Sequence, residues 1–412
     1  IRADGSSRFG KNNRWGYFPS ASLAWRVSGE DFFTKAKFLS FVDDLKIRTS
    51  YGVTGNFQIG NYDHLSLMAL DNYILGTGNG QLVQGYKPNT IKNDDLSWEK
   101  NAMVNVGVDL QMFKGLLGIT VDYYNTNTSN MLLNVPVPHL TGYSTALMNI
   151  GKVNNRGWEI ALTSQKNFTK DFGYSFNANY ATNTNEALGP GNAPIISTGS
   201  VDHAYYITKV GEPIGCYYLL VQDGIFSNEE ELKKYPHFSN TQPGDFRFVD
   251  VDGDGVMDLD KDRTIVGNYM PDFTYGFGGK VWYKGIDLDF NFQGVYGNEI
   301  LNLNRRYIDN LEGNTNGTTI ALNRWKSAED PGNGQVNRAN RKSKGYNGRT
   351  STWHLEDGSY LRLQNVTLGY TLPQNLTRRF FVEKLRVYVS GQNLWTSTNY
   401  GGYNPEVNAR PS

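Results

Sequence analysis

Cysteine is nearly absent: Cys216 stands alone among 412 residues. A single thiol excludes an internal disulfide framework, and the redox compartment stays open. Histidine is scarce as well, with 5 in the chain, so a nucleophile and base constellation is thinly supplied. There is no excess charge of either sign, because Lys+Arg and Asp+Glu both number 40. Without a basic surplus to neutralise phosphates, nucleic acid is not a partner. No run of 18 apolar residues exists, so no transmembrane helix is encoded. No targeting segment precedes Ile1, and the opening Arg2-Ala3-Asp4-Gly5-Ser6-Ser7-Arg8-Phe9-Gly10 reads as mid-protein sequence. That absence therefore carries no weight on location.

What the chain has in quantity is aromatic and small residues: 13% aromatics, 26 Tyr and 45 Gly, against 19% charged. Its length suits two or three soluble domains, or one barrel that closes without a conventional core. The mean hydropathy of -0.51 counts against a helical membrane protein. It does not count against a transmembrane β-barrel, whose strands alternate apolar with polar residues and so stay hydrophilic on average.

Period-two alternation recurs along the chain. Leu45, Ile47, Thr49, Tyr51 and Val53 share a face opposite Lys46, Arg48, Ser50, Gly52 and Thr54. Ala102, Val104, Val106, Val108 and Leu110 do the same, and after a turn at Lys114-Gly115 so do Leu117, Ile119, Val121 and Tyr123, which predicts a hairpin. Further strands are predicted around Trp158–Leu162, Tyr174–Tyr180, 273–283, 286–293, 359–372 and 384–395. In the pair 273–283 and 286–293, Ile286, Leu288, Phe290 and Phe292 oppose Asp287, Asp289, Asn291 and Gln293, the pattern of a wall between lipid and water. The even positions of 102–110 and of 286–292 are expected to face lipid and their odd neighbours a lumen.

Alternation also suits a soluble β-sandwich or propeller. Three features favour the membrane reading: strands of ten or more residues, aromatics near strand ends, and short turns alternating with long connections. The short turns are 167–171 and Lys284-Gly285, and the long connections are 185–204, 223–263 and 298–353. No linker or repeat divides the chain, so residues 1–412 read as part of one all-β, antiparallel transmembrane barrel domain with long extracellular loops.

Several segments together resemble the SusC/RagA-type TonB-dependent outer-membrane transporters. They include Arg2–Phe9, Gly16-Tyr17-Phe18-Pro19-Ser20-Ala21-Ser22-Leu23-Ala24-Trp25-Arg26, Asp44–Gly52, Gly151-Lys152-Val153-Asn154-Asn155-Arg156-Gly157-Trp158-Glu159, Pro271–Phe277, Asp357–Tyr370 and Ser390-Gly391-Gln392-Asn393-Leu394. Their order and spacing span nearly the whole chain. The resemblance implies the C-terminal part of a barrel of roughly 22 strands with a plugged lumen. It implies import of a large nutrient, oligosaccharide or peptide, powered through TonB and capped by a SusD-like surface lipoprotein, with outer-membrane lipid around the wall. A dimer of transporter–lipoprotein pairs is a further implication. Nothing here resembles the plug or the TonB-interacting segment, which the family places before Ile1, nor a closing strand after Val407. An open wall is therefore expected.

Two other functions compete. A secreted calcium-dependent glycoside hydrolase needs paired carboxylates, for which Glu159 and Glu299 are candidates. A passive porin needs the same wall without plug, lid or TonB. Tyr205-Tyr206 and Trp325 could stack on sugars or contact peptide, although loop aromatics more often serve packing.

One motif stands apart. Asp250, Asp252, Asp254 and Asp258 occupy positions one, three, five and nine of an EF-hand-like loop, with Gly255 at six and the Val256 carbonyl at seven. The twelfth position holds Lys261, so Asp262, or Asp260, is expected to swing in as the closing ligand. Six Asp within residues 250–262 repel one another without a cation, which points to a structural calcium ion. The competing reading is a solvated acidic turn screened by salt.

Overall fold

The computed structural model describes residues 1–406 apart from 77, 79, 138, 144, 190–194, 199–203, 314–315 and 342–345. It divides into two compact units. The first comprises Ile1–Lys166, Asn179–Pro194 and Lys209–Glu212, and the second Asn167–Ala178, Ile195–Thr208 and Pro213–Ser412.

In the first unit, Ser20–Arg26, Val42–Asn56, Glu99–Met112, Leu117–Pro136 and Thr145–Asn167 pair in chain order as an antiparallel meander. The register converts the sequence alternation into continuous rows. Leu45, Leu110, Ile119 and Leu162 stand opposite one another, as do Ile47, Val108, Val121 and Ile160. The next row on that face is Thr49, Val106, Tyr123 and Trp158, with the last two rings 5.0 Å apart. Beyond this aromatic row the face turns polar at Asn125 and Arg156. The opposite face carries Lys46, Asp109 and Thr120, then Arg48, Gly107, Asp122 and Glu159, then Ser50, Asn105 and Tyr124.

The second unit repeats the plan with Phe273–Tyr283, Ile286–Tyr296, Tyr360–Thr371 and Arg386–Thr398. Tyr283, Ile286, Tyr370 and Val387 form one apolar row, and Val281, Leu288, Leu368 and Val389 the next. Strict alternation would turn Leu363 to the polar side. A bulge prevents this, because Asn291 pairs with Asn365 while Phe292 pairs with Leu363, leaving Gln364 as the extra residue. Leu363 thereby stays level with Phe277, Phe292 and Trp395.

Exposure in these walls is inverted relative to a water-soluble sheet. On the apolar face Val106 is 43% exposed and Val389 68%, whereas Asp122 and Asp287 on the polar face are buried. Water penalises both halves of that arrangement, and a hydrocarbon surround favours the first.

The long connections carry secondary structure of their own. Within 185–204, where residues 190–194 and 199–203 lie outside the described residues, Thr184–Gly189 pairs with the Thr145–Asn167 strand and Ile195–Thr198 with Tyr205–Thr208. The connections 223–263 and 298–353 include strands paired locally, Phe246–Phe248 with Gln222–Ile225 and Glu299–Leu301 with Leu355–Asp357 just beyond the second connection. Leu220, Ile225, Phe238, Phe246, Phe248 and Met257 form a buried core here, with Trp325, Tyr346 and Trp353 against it. A hairpin of Met68–Leu75 and Gln81–Pro88 was not anticipated, since its sequence alternates weakly.

Candidate functional site

On the polar wall of the first unit, the Arg48 guanidinium donates to Asp109 at 3.0 Å and to Asp122 at 2.6 Å. Gly107 lies between Arg48 and Asp122 in register, and a Cβ there would come 2.5 Å from an Asp122 oxygen. The second unit uses the same device: Arg386 donates to both oxygens of Asp287, at 3.0 and 2.6 Å, across Gly369. Charge-assisted pairs of this kind satisfy charges on a wall whose other face has no water. The sequence signal, glycine at a polar-facing strand position, is legible only once the register is known.

The acidic loop 250–262 folds as a run of turns held by its own aspartates. Oxygens of Asp250, Asp252 and Asp254 lie within 4.8 Å of one another. Asp250 accepts backbone N–H groups from Gly253 and Gly255 at 2.8 and 2.9 Å, and Asp254 accepts from Val256 at 2.8 Å. Gly253 and Gly255 take positive φ of 74° and 82°, so glycine is required by the turn and not by crowding. Val256 itself has an exposed side chain. Asp258 accepts from the Asp260 N–H at 2.6 Å and lies outside the convergent trio. Asp262 is fully buried and ties the loop together, accepting from Val251 at 2.9 Å and Asp258 at 2.6 Å. Asp260 instead reaches Arg263, at 3.4 Å.

Lys261, at the twelfth position, places its ammonium 3.1 Å from Asp254. The Val256 N–H and then Lys261 hold the Asp254 carboxyl below its ordinary range, and Asp254, followed by Asp252, pushes Lys261 up. The trio offers only hard carboxylate oxygens, the donor type that calcium takes. Each accepts one or two N–H bonds and keeps lone pairs to spare.

The other named residues are engaged elsewhere. The Tyr205 ring lies under the Arg263 guanidinium at 3.7 Å, and Tyr206 packs on Tyr217 at 5.7 Å. Trp325 donates through Nε1 to Ser227 at 3.1 Å, and Gly244 leaves room for its ring. Glu159 is an exposed wall residue of the first unit. Glu299 belongs to the second, where its carboxylate accepts the Asn268 N–H at 2.8 Å and burial pushes its pKa up.

Two buried polar centres in the loop body were not foreseen. Asp245, without exposure, accepts from Arg338 at 2.7 Å and Asn347 at 2.9 Å. His354, equally buried, accepts the Ser351 N–H on Nδ1 at 3.3 Å. Burial, with Arg305 next, drives its pKa down to about 3.

Comparison with known proteins bears on these features. The family described as TonB dependent receptor-like, beta-barrel matches residues 1–211. TonB-dependent receptor P3 of Formosa agariphila is 33% identical over 99% of this chain, and TonB-dependent receptor SusC of Bacteroides thetaiotaomicron 30% identical over 99%. Among solved structures, that of the RagAB peptide transporter superposes with a TM-score of 0.78 at 30% identity over 97% of the chain. The chain spans about 40% of the length of these relatives: 40% of P3, 39% of SusC and 42% of the RagAB chain. With its bare apolar rows, paired charges on the opposite face and strands in meander order, the chain belongs to the TonB-dependent receptor-like β-barrel family of the bacterial outer membrane.

Proposed function

We propose that this chain supplies wall and outer surface to an active importer of a large nutrient, an oligosaccharide or a peptide. The observation that carries the reading is the pairing of an inverted wall with a loop body that has its own core. A passive pore needs no such body, and long connections with their own packing usually serve recognition. The reading includes a SusD-like surface lipoprotein seated on the loop side, energy delivered through TonB by a segment outside this chain, and the RagAB peptide transporter as a functional parallel. A doubled transporter–lipoprotein pair extends the same proposal. An enzyme is not supported: Glu159 is a wall residue and Glu299 is locked against Asn268.

The test is accumulation of labelled oligosaccharides and peptides by cells that carry or lack the gene, each with and without TonB. Gene-dependent uptake that vanishes without TonB is expected. Uptake that persists without TonB would make the protein a passive pore, and cleavage of the label by purified protein would make it an enzyme.

We propose further that Asp250, Asp252 and Asp254 hold a calcium ion that stiffens the outer loop body. The convergence of three carboxylates around glycines at positive φ supports this. Bound there, calcium would offset the repulsion among those acids.

A further inference from the structure

The connection 372–385 joins Tyr360–Thr371 to Arg386–Thr398 at the end of the second unit that also bears the tight turn Lys284-Gly285. The register leaves no freedom here: Ile286 stands opposite Tyr370 and Tyr370 opposite Val387, and the Thr371 N–H donates to Gly285 at 2.7 Å. Short turns mark the periplasmic rim of an outer-membrane barrel. Yet this connection is long enough to contain the helical turns Gln374–Thr377 and Arg378–Phe380.

Its surface is anomalous for a turn in water. Phe380 is 78% exposed and Phe381 100%, with Leu376 and Leu385 also exposed. Phe381 adopts φ 58°, the left-handed region that glycine normally fills at a helix end. Two adjacent bare phenylalanines, one in an unfavourable backbone state, gain nothing from water. Around them stand Arg378, Arg379 and Lys384, all exposed, with only Glu383 to offset them.

The neighbouring rim has the same chemistry. Phe168 stacks on Phe172 at 5.0 Å, Phe172 meets Tyr283 edge-on at 6.1 Å, and the Lys284 ammonium lies 5.2 Å over the Tyr283 ring. The apolar row Tyr283, Ile286, Tyr370 and Val387 ends at this rim, so the patch continues a surface already assigned to lipid.

We propose that residues 372–385 form an interfacial anchor. Phe380 and Phe381 enter the acyl boundary of the periplasmic leaflet, and Arg378 and Arg379 hold the phosphate of an anionic glycerophospholipid. Aromatic side chains favour the boundary between headgroups and acyl chains. Guanidinium groups match phosphate oxygens in bidentate geometry, and basic residues at a membrane surface select anionic lipid. Continuity with the lipid-facing row favours lipid over a periplasmic protein as the occupant.

The experiment uses protein purified from outer membranes. A nitroxide on Phe381→Cys, and separately on Phe380→Cys, is read in lipid nanodiscs by its collisions with oxygen and with a water-soluble nickel chelate; Cys216 is buried and stays unlabelled. Oxygen should dominate at both positions, and the chelate at Lys261→Cys in the outer loop. In parallel, native mass spectrometry should show phosphatidylglycerol retained over phosphatidylcholine by roughly tenfold, a preference that Arg378→Gln with Arg379→Gln abolishes. Nickel access at 380 and 381 would overturn insertion, and an unchanged lipid preference in the double variant would overturn the headgroup contact. Shielding of both labels from both colliders would mean that protein covers the patch, which also overturns the proposal.

Discussion

Arg48 reaches Asp122 over the top of Gly107, a contact of 2.6 Å that spans an intervening strand because that strand has no side chain at the crossing point. The Asp122 side chain is 12% exposed and the Arg48 side chain 30%. Gly107→Val should part the two and leave Asp122 without its cation, at a cost of about 1–3 kcal/mol. The loss would appear as a lower temperature for the heat-induced band shift of the folded barrel on a gel. An unchanged shift would mean that the pair is incidental. Gly369→Val, which crowds Arg386 against Asp287, should behave alike in the second unit.

Arginine substitutions along the wall should divide by face. Val106→Arg and Leu288→Arg place a charge on the apolar rows and should cost about 2–4 kcal/mol near the midplane, measured as lost membrane assembly. Asn105→Arg should be tolerated. Asp287→Arg should not, since it sets a new cation against Arg386 at the site of a buried ion pair. Equal effects at Val106 and Asn105 would sink the face assignment.

Alternation alone makes Asn105 and Asp287 equivalent, and the pairing of Asp287 with Arg386 and Lys280 separates them. This marks the limit of what the sequence shows. Faces were legible because period two is a local property, and every expected strand appears, although Leu117–Pro136 and Thr145–Asn167 run far past their apolar cores. Their outer halves mix Asn and Thr with apolar residues, and Leu132 and Leu147 pack against the buried cluster of Phe9, Phe18, Leu96 and Trp98. The loop body was illegible for a different reason. Phe238, Phe246, Phe248 and Trp353 meet across long sequence separations, with no periodicity to announce them. In the acidic loop the spacing brought out three carboxylates that do converge. The role of Asp262 as a backbone tie depended on burial, which spacing does not encode.

The loop body should loosen as pH falls. His354 has a folded pKa near 3 against an ordinary 6.5, so its unfolded state binds protons more readily. Its contribution to stability is therefore complete above about 6.5 and declines as pH falls from there toward 3, by up to about 1.4 kcal/mol per pH unit. Once corrected for the intrinsic pH dependence of amide exchange, protection within 346–357 should fall between pH 7.5 and 5 in the wild type and much less in His354→Gln. Equal pH dependence in both would place the cause elsewhere.

The acidic loop gives the sharpest test, because Lys261 and a divalent cation compete for one carboxylate. In the structure the Lys261 ammonium sits 3.1 Å from Asp254 Oδ2, the same group that converges with Asp250 and Asp252. If calcium binds the trio, the ammonium must yield, and part of the ion's binding energy goes into displacing it. Lys261→Gln removes that competitor and leaves backbone and carboxylates in place, so calcium affinity should rise several-fold. Asp252→Asn should lower it by removing one charge, because affinity at such loops follows the number of charged ligands. Terbium luminescence, read through energy transfer with calcium as competitor, would follow both variants in the purified protein. Protease resistance around 250–262 should rise with calcium in the wild type and in Lys261→Gln at lower concentration. If neither variant shifts the titration, or if magnesium at equal concentration protects as well as calcium, the loop is a turn zipped by Asp262 and its own N–H groups, and the ion has no place in it.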